Sequence, residues 1–217
     1  MRVSIIIPAR NEEQAIGDLL QDLAAMRRVG HEVIVIDGGS QDATVTVANG
    51  STDRVLTAPT GRASQMNAGA DAASGQVLWF LHADTRIPAN AIASIIHAID
   101  SGSCWGRFDV ALSGHAWAFR VIETMMNFRS CLTGIATGDQ GIFVERGVFD
   151  RLGGFPNQPL MEDIALSRRL RKQGRPVCIR GARLQTSSRR WEKYGTMQTI
   201  WLMWRLRLRY WLGADPH

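Results

Sequence analysis

Two short apolar runs in this chain end on acidic residues, and that pairing narrows the possible folds more than any other feature. Val33-Ile34-Val35-Ile36 stops at Asp37-Gly38-Gly39-Ser40, and Val77-Leu78-Trp79-Phe80-Leu81 stops at His82-Ala83-Asp84-Thr85. Four or five consecutive apolar residues closed by Gly or polar residues read as strands buried on both faces, the parallel-sheet pattern. An Asp at the carboxyl end of such a strand adds little to packing. It is well placed for binding, because ligands of open α/β sheets lie in the crevice beyond the strand carboxyl ends. The pattern predicts a nucleotide or phosphate site there.

The rest of the first half supports that reading. Residues 3–7 predict a first strand and residues 11–26 a helix, with Asn11 as N-cap and Glu12 and Glu13 in its first turn. Strands over 32–36, 54–57 and 77–81 alternate with helices over 40–48, within 61–75 and over 89–99, Ser40 being the second cap candidate. This alternation implies right-handed crossovers and a mainly parallel sheet with helices on both faces. Beyond Trp105 the pattern loosens to strands over 107–112, 142–145 and 177–179 and helices over 115–132 and 162–173. No repeat or linker interrupts the chain.

At 217 residues the chain is about one domain, with ordinary apolar (45%) and charged (21%) content. Cys104, Cys131 and Cys178 are dispersed and odd in number, which predicts free thiols in a reducing compartment. The apolar run at the N-terminus is too short for a signal peptide, and no segment reaches the length of a membrane-spanning helix. The expected location is cytoplasmic. The net charge of +5 conceals an asymmetry: residues 1–167 hold 12 basic and 18 acidic side chains, residues 168–217 hold 13 and 2. The second stretch predicts an anionic partner or a solvated basic face.

Five segments in order resemble family 2 glycosyltransferases, which have the GT-A fold. They are Ile5-Ile6-Ile7-Pro8-Ala9-Arg10-Asn11-Glu12-Glu13, the Asp37–Asp42 turn, Gly61-Arg62-Ala63-Ser64-Gln65-Met66-Asn67-Ala68-Gly69, His82-Ala83-Asp84 and Glu162-Asp163. The resemblance implies an α/β GT-A domain over 1–195, with a nucleotide-binding half over about 1–100 and an acceptor half over 101–195. A basic, Trp-rich segment follows over 196–217. Gly138-Asp139-Gln140-Gly141, Met161-Glu162-Asp163, Ser188-Arg189-Arg190-Trp191 and the tail resemble most closely the branch labelled arsenosugar-pathway or selenodomain-associated transferases.

The resemblance also implies roles. Pro8, Ala9, Arg10 and Glu12 would floor the base pocket, and Asp37 would grip the nucleoside, with UDP as the default. The usual second Asp is Gly38 here. Arg62 and Asn67 would meet the diphosphate. Asp84 stands where the family's Asp-X-Asp motif places its main metal contact, for Mn²⁺ or Mg²⁺, and His82 replaces the first acid. Asp163 would be the general base of an inverting transfer, with Glu162 beside it. Asp139 and Gln140 would face acceptor or sugar, and Arg189, Arg190 and Trp191 diphosphate and acceptor.

Each residue also has a plainer reading: an Asx turn for Asp37, a packed histidine for His82, a cap for Asp84, an acidic first helical turn for Glu162-Asp163. Residues 200–212 mix Trp, Leu and Met with three Arg and read either as an interfacial helix at a membrane's inner face or as a helix packed on the domain or a second subunit. The resemblance implies a sugar or lipid-linked acceptor. No nucleic-acid partner is expected. No Gly-rich loop follows the first strand, which argues against a nucleotidyltransferase or dinucleotide dehydrogenase. The rival outside catalysis is a degenerate member acting as a membrane-associated scaffold.

Overall fold

Side chains alternate across a strand, so an unbroken apolar run must meet a core on both faces. The computed structural model, which describes residues 1–114, 116–188, 201 and 205, shows this directly. Ile5, Ile7, Val33, Val35, Val77, Trp79 and Leu81 pack into one core, against α1 (Ile16–Arg28) and α4 (Ala91–Asp100). Ile6, Ile34, Ile36, Leu78 and Phe80 pack into the other, against α3 (Arg62–Ala72), α6 (Arg146–Arg151) and α7 (Glu162–Leu170).

The sheet has seven strands in the order β3-β2-β1-β4-β6-β5-β7. They are β1 (Val3–Ala9), β2 (Glu32–Asp37), β3 (Arg54–Thr57), β4 (Val77–Phe80), β5 (Trp105–Leu112), β6 (Phe143–Glu145) and β7 (Val177–Thr186). β1, β2, β3 and β4 are mutually parallel, as are β5 and β7, and β6 runs antiparallel between the two groups. The remaining helices are α2 (Thr44–Asn49) and α5 (Trp117–Thr133). The mainly parallel sheet expected from the sequence is observed, with β6 as an antiparallel strand inside it.

Local differences have physical causes. α1 begins at Ile16, not at Asn11, because Asn11 takes a left-handed backbone (φ 55) and its side chain accepts from Gln41 N at 2.8 Å. Ser40 Oγ accepts from Asn11 N at 3.0 Å, and α2 starts only at Thr44. Both cap candidates instead stitch together the loops after β1 and β2. α7 stops at Leu170, α6 is an additional helix, and β7 continues to Thr186 with a register shift opposite Phe108/Asp109.

Cys131 on α5 and Cys178 on β7 are joined as a disulfide, with Cα atoms 5.9 Å apart, and Cys104 is free. This corrects the expectation of three free thiols. The two residues are 47 apart in sequence, and only the packing of α5 beside β7 brings them together.

Candidate active site

At the carboxyl end of β2, the buried Asp37 carboxylate accepts from Gly39 N at 3.0 Å and Ser40 N at 3.1 Å. This is an Asx turn, and Gly39 supplies the positive φ (89) it requires. Ala9 at the end of β1 lies opposite Asp37 in register, with Pro8 half-buried beside it and Arg10 exposed. Glu12 N donates to Thr44 Oγ1 at 2.8 Å, which fixes the loop beyond.

Gln65, on the first turns of α3, is buried and donates to the carbonyls of Ala9 (3.0 Å) and Ile36 (2.8 Å). A Cβ at position 38 would lie 2.9 Å from its Nε2. Gln65 therefore occupies the space that a second Asp would need, which accounts for Gly38. Sequence reading gave Gln65 no role. The available signal was a long polar side chain on the otherwise apolar inner face of α3.

The carboxyl end of β4 meets the second half of the chain. His82 Nδ1 lies 3.2 Å from Asp139 Oδ1, in the 3-10 turn Gly138–Gln140. Gly138 packs so closely on the imidazole that a Cβ there would sit 2.4 Å from Nε2. Gly138 N donates to Asp163 Oδ2 at 2.7 Å, and Ile164 N donates to Asp163 Oδ1 at 2.7 Å. His82, Gly138, Glu162 and Asp163 line a cleft floored by Met66, Phe80, Ile142 and Phe155. Arg62, exposed at the start of α3, acts electrostatically on both His82 and Glu162. Met161, just before the acidic pair, holds a left-handed backbone (φ 65), an uncommon state for a non-glycine residue.

Proton affinities in the cleft are displaced. For His82, burial disfavours the charge, but the hydrogen bond and negative charge of Asp139, with Asp84 nearby, outweigh it and raise the pKa. Burial raises Asp163, aided by the charge of Asp139 and opposed by the two backbone N–H donors. Burial, then repulsion from Asp163, raises Glu162. A carboxylate lifted toward neutral pH is the kind needed to accept a proton during reaction.

The fold thus brings His82, Asp139, Glu162 and Asp163 around one cleft within reach of the Arg62 charge, with Pro8, Ala9 and Asp37 on adjoining strand ends. Two residues expected at the ligand turn inward instead. Asn67 donates to Phe155 O and accepts from Phe155 N, both at 2.9 Å, so its amide clamps the turn before α7 to α3. Gln140 is fully buried and accepts from Thr137 N at 3.2 Å. Arg189, Arg190 and Trp191 lie outside the described residues, as does the tail over 200–212 except Trp201 and Arg205.

The chemistry of the donor set at Asp84 fits a divalent cation. Its carboxylate is half-buried at the strand end and makes no hydrogen bond or salt bridge with another described residue. Among the described residues no three His, Cys, Asp or Glu side chains form a cage. Mg²⁺ and Mn²⁺ do not require one, being commonly held by one or two carboxylates with phosphate oxygens and water.

Comparison with known proteins bears on the fold and the family. The probable glycosyltransferase YdaM of Bacillus subtilis is 25% identical over 96% of the chain, which spans 54% of that relative's length. Among solved structures, S. aureus TarS 1–349 in complex with UDP-GlcNAc superposes with a TM-score of 0.70 at 17% identity, over 86% of this chain and 58% of that one. The mannosyltransferase PcManGT from Pyrobaculum calidifontis, in complex with GDP-Man and Mn²⁺, gives 0.65 at 20% identity, over 82% and 54%. These likenesses establish the GT-A fold. The model of glycosyl transferase family 2 matches residues 4–147, about two-thirds of the chain, and the chain belongs to that family of glycosyltransferases.

Proposed function

We propose that this glycosyltransferase moves a sugar from a nucleoside-diphosphate donor to an acceptor hydroxyl in a single inverting displacement. The observation that carries this reading is the cleft in which Asp163, with raised proton affinity, faces the end of β4 at Leu81 and His82. Asp37, Pro8 and Ala9 border the nucleoside pocket, Arg62 faces the diphosphate, and the acceptor enters beside Glu162 and Asp163. The UDP-GlcNAc and GDP-Man complexes of the structural relatives support a nucleotide sugar without choosing the base.

In the transfer, the Asp163 carboxylate removes the acceptor hydroxyl proton as its oxygen forms the bond to the anomeric carbon. The anomeric C–O bond to the diphosphate breaks, and its electron pair leaves with the diphosphate. Arg62 stabilises that developing charge. Asp84 is the residue that would hold Mn²⁺ or Mg²⁺. When bound, the cation neutralises the leaving group. Attack on the face opposite the leaving group inverts the anomeric configuration.

A thermal-shift panel of UDP-, GDP-, dTDP- and CMP-sugars with Mn²⁺, with Mg²⁺ and with chelator tests the donor reading. Ligand at ~100 times its Kd stabilises the folded state by roughly 2.7 kcal/mol. A shift with one nucleotide that disappears with chelator is expected. No shift with any donor in folded protein would transfer the argument to a non-catalytic binding role.

A further inference from the structure

Helix α5 presents its apolar residues outward. Its inner face places Glu123, Asn127 and Ser130 among Phe119, Ile122 and Met126. The polar side chains anchor it: the Asn127 amide accepts from Val110 N at 2.9 Å and donates to Val110 O at 3.0 Å, and Glu123 accepts from Leu112 N at 2.6 Å. Arg107 donates to the Asn127 carbonyl at 2.7 Å. Rotating the helix would leave these buried groups unpaired, so its orientation is fixed. On the outer face Trp117, Val121, Met125, Phe128 and Leu132 recur at helical spacing and are 46% to 80% exposed. Such a continuous stripe marks an interaction surface, unlike apolar residues scattered singly.

Guanidinium groups rim the stripe. Arg120, exposed, pairs with Glu123 at 2.8 Å beside its start. Arg171, exposed, donates to the Thr133 carbonyl at its end, and the exposed Arg180 lies 3.8 Å from Cys131 Sγ. A second copy seated stripe to stripe would bring the guanidinium rim of one copy beside that of the other, which opposes association. A bilayer with anionic head groups suits both features, since the apolar side chains reach the acyl boundary while the guanidinium groups stay at head-group depth.

We propose that the outer face of α5 docks this enzyme on an anionic membrane surface. α5 leads directly into the turn that carries Gly138 and Asp139, so docking there brings the cleft close to lipid-anchored molecules. Docking needs neither donor nor acceptor, so its test is independent of the transfer reaction.

The 217-residue chain is co-sedimented with phosphatidylcholine vesicles and with vesicles that also contain phosphatidylglycerol, beside a Phe128→Ser/Leu132→Ser double variant. The wild type is expected to prefer the anionic vesicles and to lose binding as salt is added. The double variant should bind at least about tenfold more weakly, since two exposed apolar groups no longer leave water. Its Tm without vesicles should be unchanged. Equal vesicle binding by variant and wild type, or no binding by the wild type, overturns the proposal. A lower Tm, or a dimer that only the variant dissolves, also overturns it, because the chain itself or a second copy then covers the stripe.

Discussion

Replacing Glu162 with Gln should make the protein more stable at mildly alkaline pH. Glu162 is 4% exposed, and burial followed by the adjacent Asp163 charge raises its proton affinity. The attraction of Arg62 and His82 acts in the opposite sense and does not prevail. An unfolded glutamate titrates near 4.5, whereas the folded site retains its proton to higher pH. Stability linked to this group is therefore complete below that value and declines as pH rises through the folded pKa. Glu162→Gln keeps the shape and removes the charge. Where the wild-type group is ionised, the variant should gain about 1 kcal/mol, the scale typical of relieving a strained functional position. For a chain of this size that corresponds to a Tm increase of roughly 2–4 °C. Scanning calorimetry of both proteins at about pH 8 and about pH 4 reads the effect, which should vanish at the lower pH because the wild-type carboxyl is then neutral in both states. Equal Tm values at the higher pH, or a gain that persists undiminished in acid, would refute the reasoning.

Three further substitutions probe the supports of the cleft. Asn67→Ala removes both bonds to Phe155 and should lower unfolding free energy by about 1–3 kcal/mol in a urea titration. Gly138→Ala places a methyl group 2.4 Å from His82 Nε2, so the turn must move. It should cost about 1–3 kcal/mol of stability, and transfer activity should fall further than donor affinity because the Asp163 contact moves with the turn. Met161→Gly relieves the left-handed backbone before Glu162 and should raise stability by about 0.5–1 kcal/mol, measured as a higher urea midpoint.

The sheet and the acidic strand ends were legible because both follow from local pattern. A strand buried on two faces must be apolar throughout, and Val33–Ile36 and Val77–Leu81 leave little alternative. β7 was read short because Arg180, Gly181 and Arg183 interrupt its apolar alternation, and its pairing with β5 lies more than 60 residues away in sequence. The Cys131–Cys178 pair was invisible for the same reason. Of the residues that line the cleft, the sequence singled out His82 by its place at a strand end and Glu162 and Asp163 by family resemblance. Asn67 and Gln140 were assigned to the ligand by family resemblance, and an amide offers the same groups to a backbone as to a sugar. Only the packed structure shows which partner each amide has. The outward apolar face of α5 required knowledge of which side meets β5, since the 115–132 periodicity marks an amphipathic helix without showing which side is covered.

The central claim is that the strand ends around Asp84 and the Asp163 cleft form a metal-dependent nucleotide-sugar site. Calorimetric titration of the donor chosen by the thermal panel into wild-type and Asp84→Ala protein, with Mn²⁺ and with chelator, tests it most directly. The account predicts binding by the wild type that weakens with chelator. It also predicts at least about tenfold weaker binding by Asp84→Ala in Mn²⁺, with no further loss on chelation. Donor affinity in Mn²⁺ that is the same for both proteins would contradict the role given to Asp84, and a folded wild type that binds no donor would contradict the site as a whole.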